Sequence, residues 1–185
     1  MLSATRIPCG GATVWLTGLP SAGKTTIARA VEQRLREQDR RVEVLDGDEI
    51  REFLSAGLGF SREDRNTNVQ RIGLVAEVLA RNGIVALVPV IAPYADSRAA
   101  VRNRHARSGT PYLEVHVTTP VEVCSERDVK GLYAKQAAGE IRGLTGVDDP
   151  YEAPESPDLR IEAHRRSVAE SAAAVHELLD GRGTS

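Results

Sequence analysis

The stretch Ala12-Thr13-Val14-Trp15-Leu16-Thr17-Gly18-Leu19-Pro20-Ser21-Ala22-Gly23-Lys24-Thr25-Thr26 decides the fold. Its first six residues are rich in β-formers and read as a buried strand. From Gly18 to Thr25 it satisfies G-x-x-x-x-G-K-[ST] at every fixed position, and Ile27, Val31 and Leu35 then recur at helical spacing. Strand, glycine-rich turn and helix stand in the order that a phosphate cradle requires. Glycines let the backbone curl so that successive N–H groups point inward, and the helix N-terminus adds positive partial charge. Lys24 is placed to reach β- and γ-phosphates, and the Thr25 hydroxyl to ligate Mg²⁺. By itself the motif specifies a nucleoside triphosphate and magnesium. GTPases, motor ATPases and small-molecule kinases all share it.

Outward from this loop, apolar runs alternate with helical periodicities, the pattern of stacked β–α units. Arg41–Leu45 reads as a second strand. Ile72, Val75, Ala76 and Leu79 form the stripe of an amphipathic helix that Asn82-Gly83 stops. Ile84–Ile91 reads as a strand buried on both faces, with Pro89 as an objection because proline cannot donate to a ladder. Tyr112–Val117 and Leu159–Ile161 supply two more strands, and Ser167–Leu179 a closing helix. The region from Asp128 to Pro157 has no clean period and carries Lys130 and Lys135. Its length suits a lid or binding loop. One domain over residues 1–185 is expected, with 1–11 and 181–185 as flexible ends.

The chain has 185 residues, 41% of them hydrophobic and 4% aromatic, with a formal net charge of −2. That composition excludes a wholly disordered chain and gives no basic footprint for nucleic acid. The longest apolar stretch, Ile84–Ala92, is about half of the roughly 20 residues a spanning helix needs, so no membrane segment is expected. No secretory pattern opens the chain. Cys9 and Cys124 form no CxxC pair and read as reduced thiols, consistent with a cytoplasmic setting. The four histidines have no metal-ligand spacing, and Trp15 reads as core.

Asp46-Gly47-Asp48 follows the second strand, at the ligand edge of a parallel sheet. Two carboxylates there can orient a hydroxyl or hold a metal through water; an Asp-Gly turn with Asp48 as a helix cap is the alternative. Arg51, Phe60, Arg65, Asn68 and Arg71 come next, with the last three at one-turn spacing. Guanidinium groups near a phosphate loop suit an anionic acceptor, and Phe60 a base. A solvated helix with Phe60 in the core is the other reading.

Taken together, GLPSAGKTTIA, VLDGDEIR, LGFSREDRNTN, RIGLVAEVLARNG, VCSERDVKGLY and DDPYEAPE resemble the adenylylsulfate kinase (APS kinase) family, from about Val14 to Leu159. The resemblance implies a P-loop α/β fold with five mostly parallel strands in the order 2-3-1-4-5, helices on both faces and a lid. It implies transfer of the ATP γ-phosphoryl group to the ribose 3′-hydroxyl of adenosine 5′-phosphosulfate (APS), with Mg²⁺. Asp48 would orient that hydroxyl, and Asp46 would support metal and loop. Arg51, Arg65 and Asn68 would grip the phosphosulfate and ribose, Phe60 would stack on the adenine, and Ile91 and Ala92 would lie against the substrate. Arg127 would hold the ATP base, and Lys130 and Lys135 would sit in the lid. A homodimer and a functional link to ATP sulfurylase are further implications. Arg98 falls at the spacing of another substrate-side arginine, against the alternative of a surface salt bridge.

Three residues depart from the family pattern. Ala92 stands where many bacterial members carry a serine proposed to be phosphorylated, so that route is closed here. Leu144 replaces the phenylalanine of an adenine clamp, and Ala134 replaces a common lysine. These departures motivate a rival, a kinase of the same fold with another hydroxyl acceptor. A nucleotide-binding module without transfer activity is a second rival, which the paired aspartates and arginines oppose.

Overall fold

The computed structural model describes residues 10–182; the side chains of Asp48, Arg51, Phe53 and Arg182 lie outside that description. The elements run β1 (Ala12–Thr17), α1 (Lys24–Glu37), β2 (Val42–Val44), α2 (Gly47–Phe53), α3 (Arg62–Arg81), β3 (Val85–Pro89), α4 (Ala95–Ser108), β4 (Tyr112–Val117), α5 (Val121–Arg127), α6 (Leu132–Ala137), β5 (Leu159–Ile161) and α7 (Val168–Arg182). The five strands form one parallel sheet in the order β2-β3-β1-β4-β5, as expected.

Every residue of β1, β3 and β4 is buried, which explains their near-continuous apolar character: both faces of a parallel sheet are covered by helices. On one face Val14, Leu16, Leu87 and Leu113 pack with Ile27, Val31 and Leu35 of α1 and with Ala172 and Val175 of α7. On the other, Trp15, Ala86 and Val88 pack with Ile72 and Ala76 of α3 and Val101 of α4. At Gly73 a Cβ would stand 2.5 Å from a methyl of Val101, so glycine here sets how closely α3 and α4 approach.

Pro89 costs the sheet nothing. The Val85 N–H donates toward β2, to Arg41 O at 2.8 Å, and the Val90 N–H toward β1, to Leu16 O at 3.0 Å. Odd positions of β3 therefore face β2. Pro89 is the first odd position past the end of that ladder, where Asp46 leads into α2.

At the ends, Gly11 is buried against Ala80 and Ile84, and Gly181 and Arg182 close the last turn of α7. Gly10 is exposed, and the remainder of the expected flexible ends, with Cys9, lies outside the described residues. Among the described residues no helix is long and apolar enough to cross a membrane.

Candidate active site

All five strands point their C-termini to one edge, and a cleft of about 610 Å³ opens there. The loop after β1 supplies Pro20 to Gly23, and α1 supplies Lys24, Thr25 and Thr26. Asp46 and Gly47 come from the end of β2, Arg65 and Asn68 from α3, and Ile91, Ala92 and Pro93 from the end of β3. Arg127, Val129 and Lys130, beside the phosphate loop, add to the lining.

The glycine-rich loop fits between strands because Gly18 has no side chain: a Cβ there would stand 2.6 Å from Val117 O. α1 begins behind Gly23, which has φ 104° and offers no side-chain cap, so the first-turn amides are left to an outside anion. The loop is braced from behind at two carbonyls and one hydroxyl. Tyr133 Oη donates to Pro20 O at 3.0 Å, Thr119 Oγ1 donates to Ala22 O at 2.8 Å, and the Val129 N–H donates to Ser21 Oγ at 3.3 Å. Nothing in the local sequence marks these three donors as parts of the loop.

Lys24 is buried and folded back on its own loop, donating to Gly18 O at 3.0 Å and Leu19 O at 2.7 Å. Burial pushes its ammonium down to about 8, with the Lys130 charge adding to the shift and Cys124 opposing it. An ammonium paired only with carbonyls is poised to exchange them for phosphate oxygens.

Arg65, 8% exposed, donates Nε–H to Phe60 O at 2.8 Å and its terminal nitrogens to Thr145 Oγ1 and Gly143 O, both at 2.5 Å. Its guanidinium also lies 3.6 Å from Asp149. Asn68 accepts a bond from Ser55 Oγ. Arg71 turns outward to Leu54 O at 3.0 Å and braces α2. Phe60 is neither core nor on the cleft wall: it stands 65% exposed, with Arg65 5.8 Å from its ring centre. Lys135 is exposed on α6, away from the cleft lining. Leu144 is buried in the same apolar cluster as Tyr133, with Leu19 packed against it, and does not reach the cleft wall. Gly18 and Leu19 lie behind the lining as well. The backbones of Asp48 and Arg51 belong to α2; their side chains lie outside the described residues.

Arg98 is not at the surface. It is 4% exposed, and its Nε lies 3.2 Å from Glu114. Ala163, Arg166, Val168 and Ser171, brought in by β5 and α7, also line the cleft, and the sequence reading did not name them.

Thr25 and Asp46 put a hydroxyl and a carboxylate on the cleft wall, and no group of three or more His, Cys, Asp or Glu suited to a metal occurs among the described residues. That sparse, hard-oxygen donor set fits Mg²⁺, which keeps several waters and takes its other oxygens from substrate phosphates.

A glycine-lined anion loop between β1 and α1, on a parallel sheet of this order, defines a nucleotide-binding P-loop protein. The adenylylsulphate kinase family profile matches residues 10–162. A probable adenylyl-sulfate kinase of Synechocystis sp. is 51% identical over 169 residues, 91% of this chain and 93% of that one. An adenylyl-sulfate kinase of Rippkaea orientalis is 50% identical over 94% of this chain and 93% of its own length. The structure of the Mycobacterium tuberculosis APS kinase CysC, in complex with AMPPNP and APS, superposes with a TM-score of 0.90 at 47% identity, covering 92% of this chain and 98% of that one. The chain belongs to the adenylylsulphate kinase family.

Proposed function

We propose that the protein transfers the γ-phosphoryl group of ATP to the 3′-hydroxyl of adenosine 5′-phosphosulfate, giving ADP and 3′-phosphoadenosine 5′-phosphosulfate. One observation carries this: a single cleft holds the phosphate loop and Lys24 on one wall and Asp46, Arg65, Asn68 and the Ile91–Pro93 turn on another. Mere binding of a nucleotide needs only the first wall. A second wall with a carboxylate and a buried guanidinium suits an anionic acceptor that carries a hydroxyl.

In the reaction a bond forms between the ribose 3′ oxygen and the γ-phosphorus while the bond from that phosphorus to the β–γ bridging oxygen breaks. The hydroxyl proton leaves to a carboxylate; by the family resemblance Asp48 takes that part. First-turn amides of α1 and Lys24 hold the β- and γ-phosphates and neutralise charge on the departing ADP. Thr25, and Asp46 through water, would hold Mg²⁺, whose chemistry here is charge neutralisation across the phosphates. Arg127 and the wall formed by Ala163 and Val168 suit the base of the donor, and Arg65 and Asn68 the acceptor; by the family resemblance Arg51 joins them and Phe60 stacks on the acceptor adenine. Residues 128–142, with Lys130, form the lid that keeps water from competing as acceptor. A homodimer in the cytoplasm, supplied with APS by an ATP sulfurylase, completes the proposal.

A panel of acceptors in an ADP-release assay, run with and without magnesium, tests it. APS is expected to turn over in the presence of magnesium, and chelation to abolish the reaction. Turnover with another alcohol and none with APS would favour the rival acceptor to which Ala92, Ala134 and Leu144 point. ATP binding with no acceptor-dependent turnover would favour a binding module.

A further inference from the structure

Three successive carbonyls line the turn after β3, and each is held by a different donor. Thr17 Oγ1 donates to Ile91 O at 2.5 Å, and Tyr151 Oη in turn donates to Thr17 Oγ1 at 3.0 Å. Arg98 donates to Ala92 O at 2.7 Å. The Glu152 N–H donates to Pro93 O at 2.8 Å. The turn forms the floor of the cleft, and residues 149–152 run behind it as a strap.

Ala92 is the anomalous member. It is buried, with φ 43°, in the left-handed region that residues with a Cβ rarely occupy. Such a backbone persists only where its surroundings hold it. Arg98 is the holder: besides Ala92 O it binds Glu152 O at 2.5 Å, and it is clamped by Glu114 at 3.2 Å. At 4% exposure it does not line the cleft. An ion pair buried this deeply is costly to desolvate, and apolar side chains of similar volume in place of both partners fill such a space as well or better. What only the guanidinium supplies is two directed bonds to carbonyls of two different segments.

We infer that Arg98, clamped by Glu114, is a positioning residue that fixes the left-handed turn at Ala92 to the 149–152 strap and so sets where the acceptor hydroxyl lies. It touches neither substrate in the proposed reaction. This rests on the phosphotransfer proposed above, so the test has one arm that needs no acceptor.

The test compares wild type with Arg98→Met, Arg98→Lys and Arg98→Met/Ala92→Gly. In Arg98→Met, kcat/KM for APS is expected to fall about 100-fold while KM for ATP stays within about twofold. Arg98→Lys, which keeps the charge but has only one point of attachment, is expected to lose about 10-fold and serves if the methionine variant does not fold. Adding Ala92→Gly removes the penalty of positive φ and is expected to restore part of the loss. A purely structural arginine would lower melting temperature and both substrates' kinetics together, with no recovery on adding glycine; that result, or unchanged kcat/KM for APS, overturns the inference. Amide hydrogen exchange at Ile91, Ala92 and Tyr94, measured without substrates, is expected to accelerate in both single variants. Wild type inactive on APS but with this acceleration would sink the phosphotransfer and leave the positioning role standing. Unchanged exchange would sink the positioning role.

Discussion

Lys24 shows how a residue legible from spacing acquires properties that spacing does not hold. The motif places it, while burial pushes its ammonium down to about 8. Bound phosphates favour the charged form, so above pH 8 nucleotide binding takes up a proton, and affinity for ATP is expected to weaken as pH rises through 8. Calorimetry in two buffers of different ionisation enthalpy measures that uptake; none near pH 9 would contradict it. Ligand-free stability moves the other way. Below pH 8 Lys24 is charged in both folded and unfolded states. Between 8 and 10.5 the unfolded chain binds more protons, so the Lys24 contribution rises with pH and is absent from Lys24→Met. The same substitution is expected to lower kcat by about two to three orders of magnitude. Ala92 carries the other residue-scale prediction. It has no hydroxyl to phosphorylate, which closes a phosphoenzyme route at this position; direct in-line transfer is expected, and ATP made chiral at the γ-phosphorus is expected to react with inversion. Retention would require a phosphorylated intermediate that this position is unable to form.

At the scale of elements, what could be read followed from local period. β1, β4 and β5 match their expected spans, and the stripe of Ile27, Val31 and Leu35 lies on α1 as expected. α4 has no such mark: its buried face is Ser97, Arg98, Val101 and His105, three of them polar. Two of those polar groups are satisfied by distant partners, His105 by Thr13 Oγ1 at 2.8 Å and Arg98 by the floor and strap, while Ser97 donates locally to Tyr94 O at 3.0 Å. No reading of the local stretch shows those bonds. α2 starts earlier than the alternative reading, an Asp-Gly turn with Asp48 as cap, expects: its seven residues begin at Gly47, with the Ile50 N–H donating to Asp46 O at 3.0 Å, so Asp48 lies inside the helix. The lid illustrates a cap acting at long range. Asp128 accepts from the Tyr133 and Ala134 N–H groups at 3.0 Å each and so starts α6, whose Tyr133 then braces Pro20. Asp128→Ala is expected to lower the melting temperature and to speed proteolysis within residues 128–140. Protease resistance equal to wild type would show that the cap does not hold the lid. Gly146, with φ 87° and Leu19 Cδ2 2.5 Å from where a Cβ would stand, joins the strap segment to the phosphate loop. Gly146→Ala is expected to cost about 1 kcal/mol or more, read as a lowered melting temperature.

For the whole molecule, five parallel strands ending at one edge convert separate sequence blocks into one cleft. The phosphate loop, Asp46, Arg65 and Asn68 were each visible as residue types suited to the chemistry; that they share one cavity follows from the strand order. The wall made by Ala163, Arg166 and Val168 was not visible, because its residues are chemically ordinary and acquire a place only when β5 joins the sheet beside β4. Leu144 shows the converse: the family resemblance puts it against an adenine, while the structure buries it in the core cluster that also holds Tyr133. The most direct measurement is the identity of the product. With MgATP and APS, ³¹P NMR is expected to show one ADP formed per acceptor consumed and a new phosphomonoester coupled to the ribose H3′, with the phosphosulfate intact. A phosphoryl group on any other atom, or ATP cleaved only to ADP and inorganic phosphate, would contradict the account.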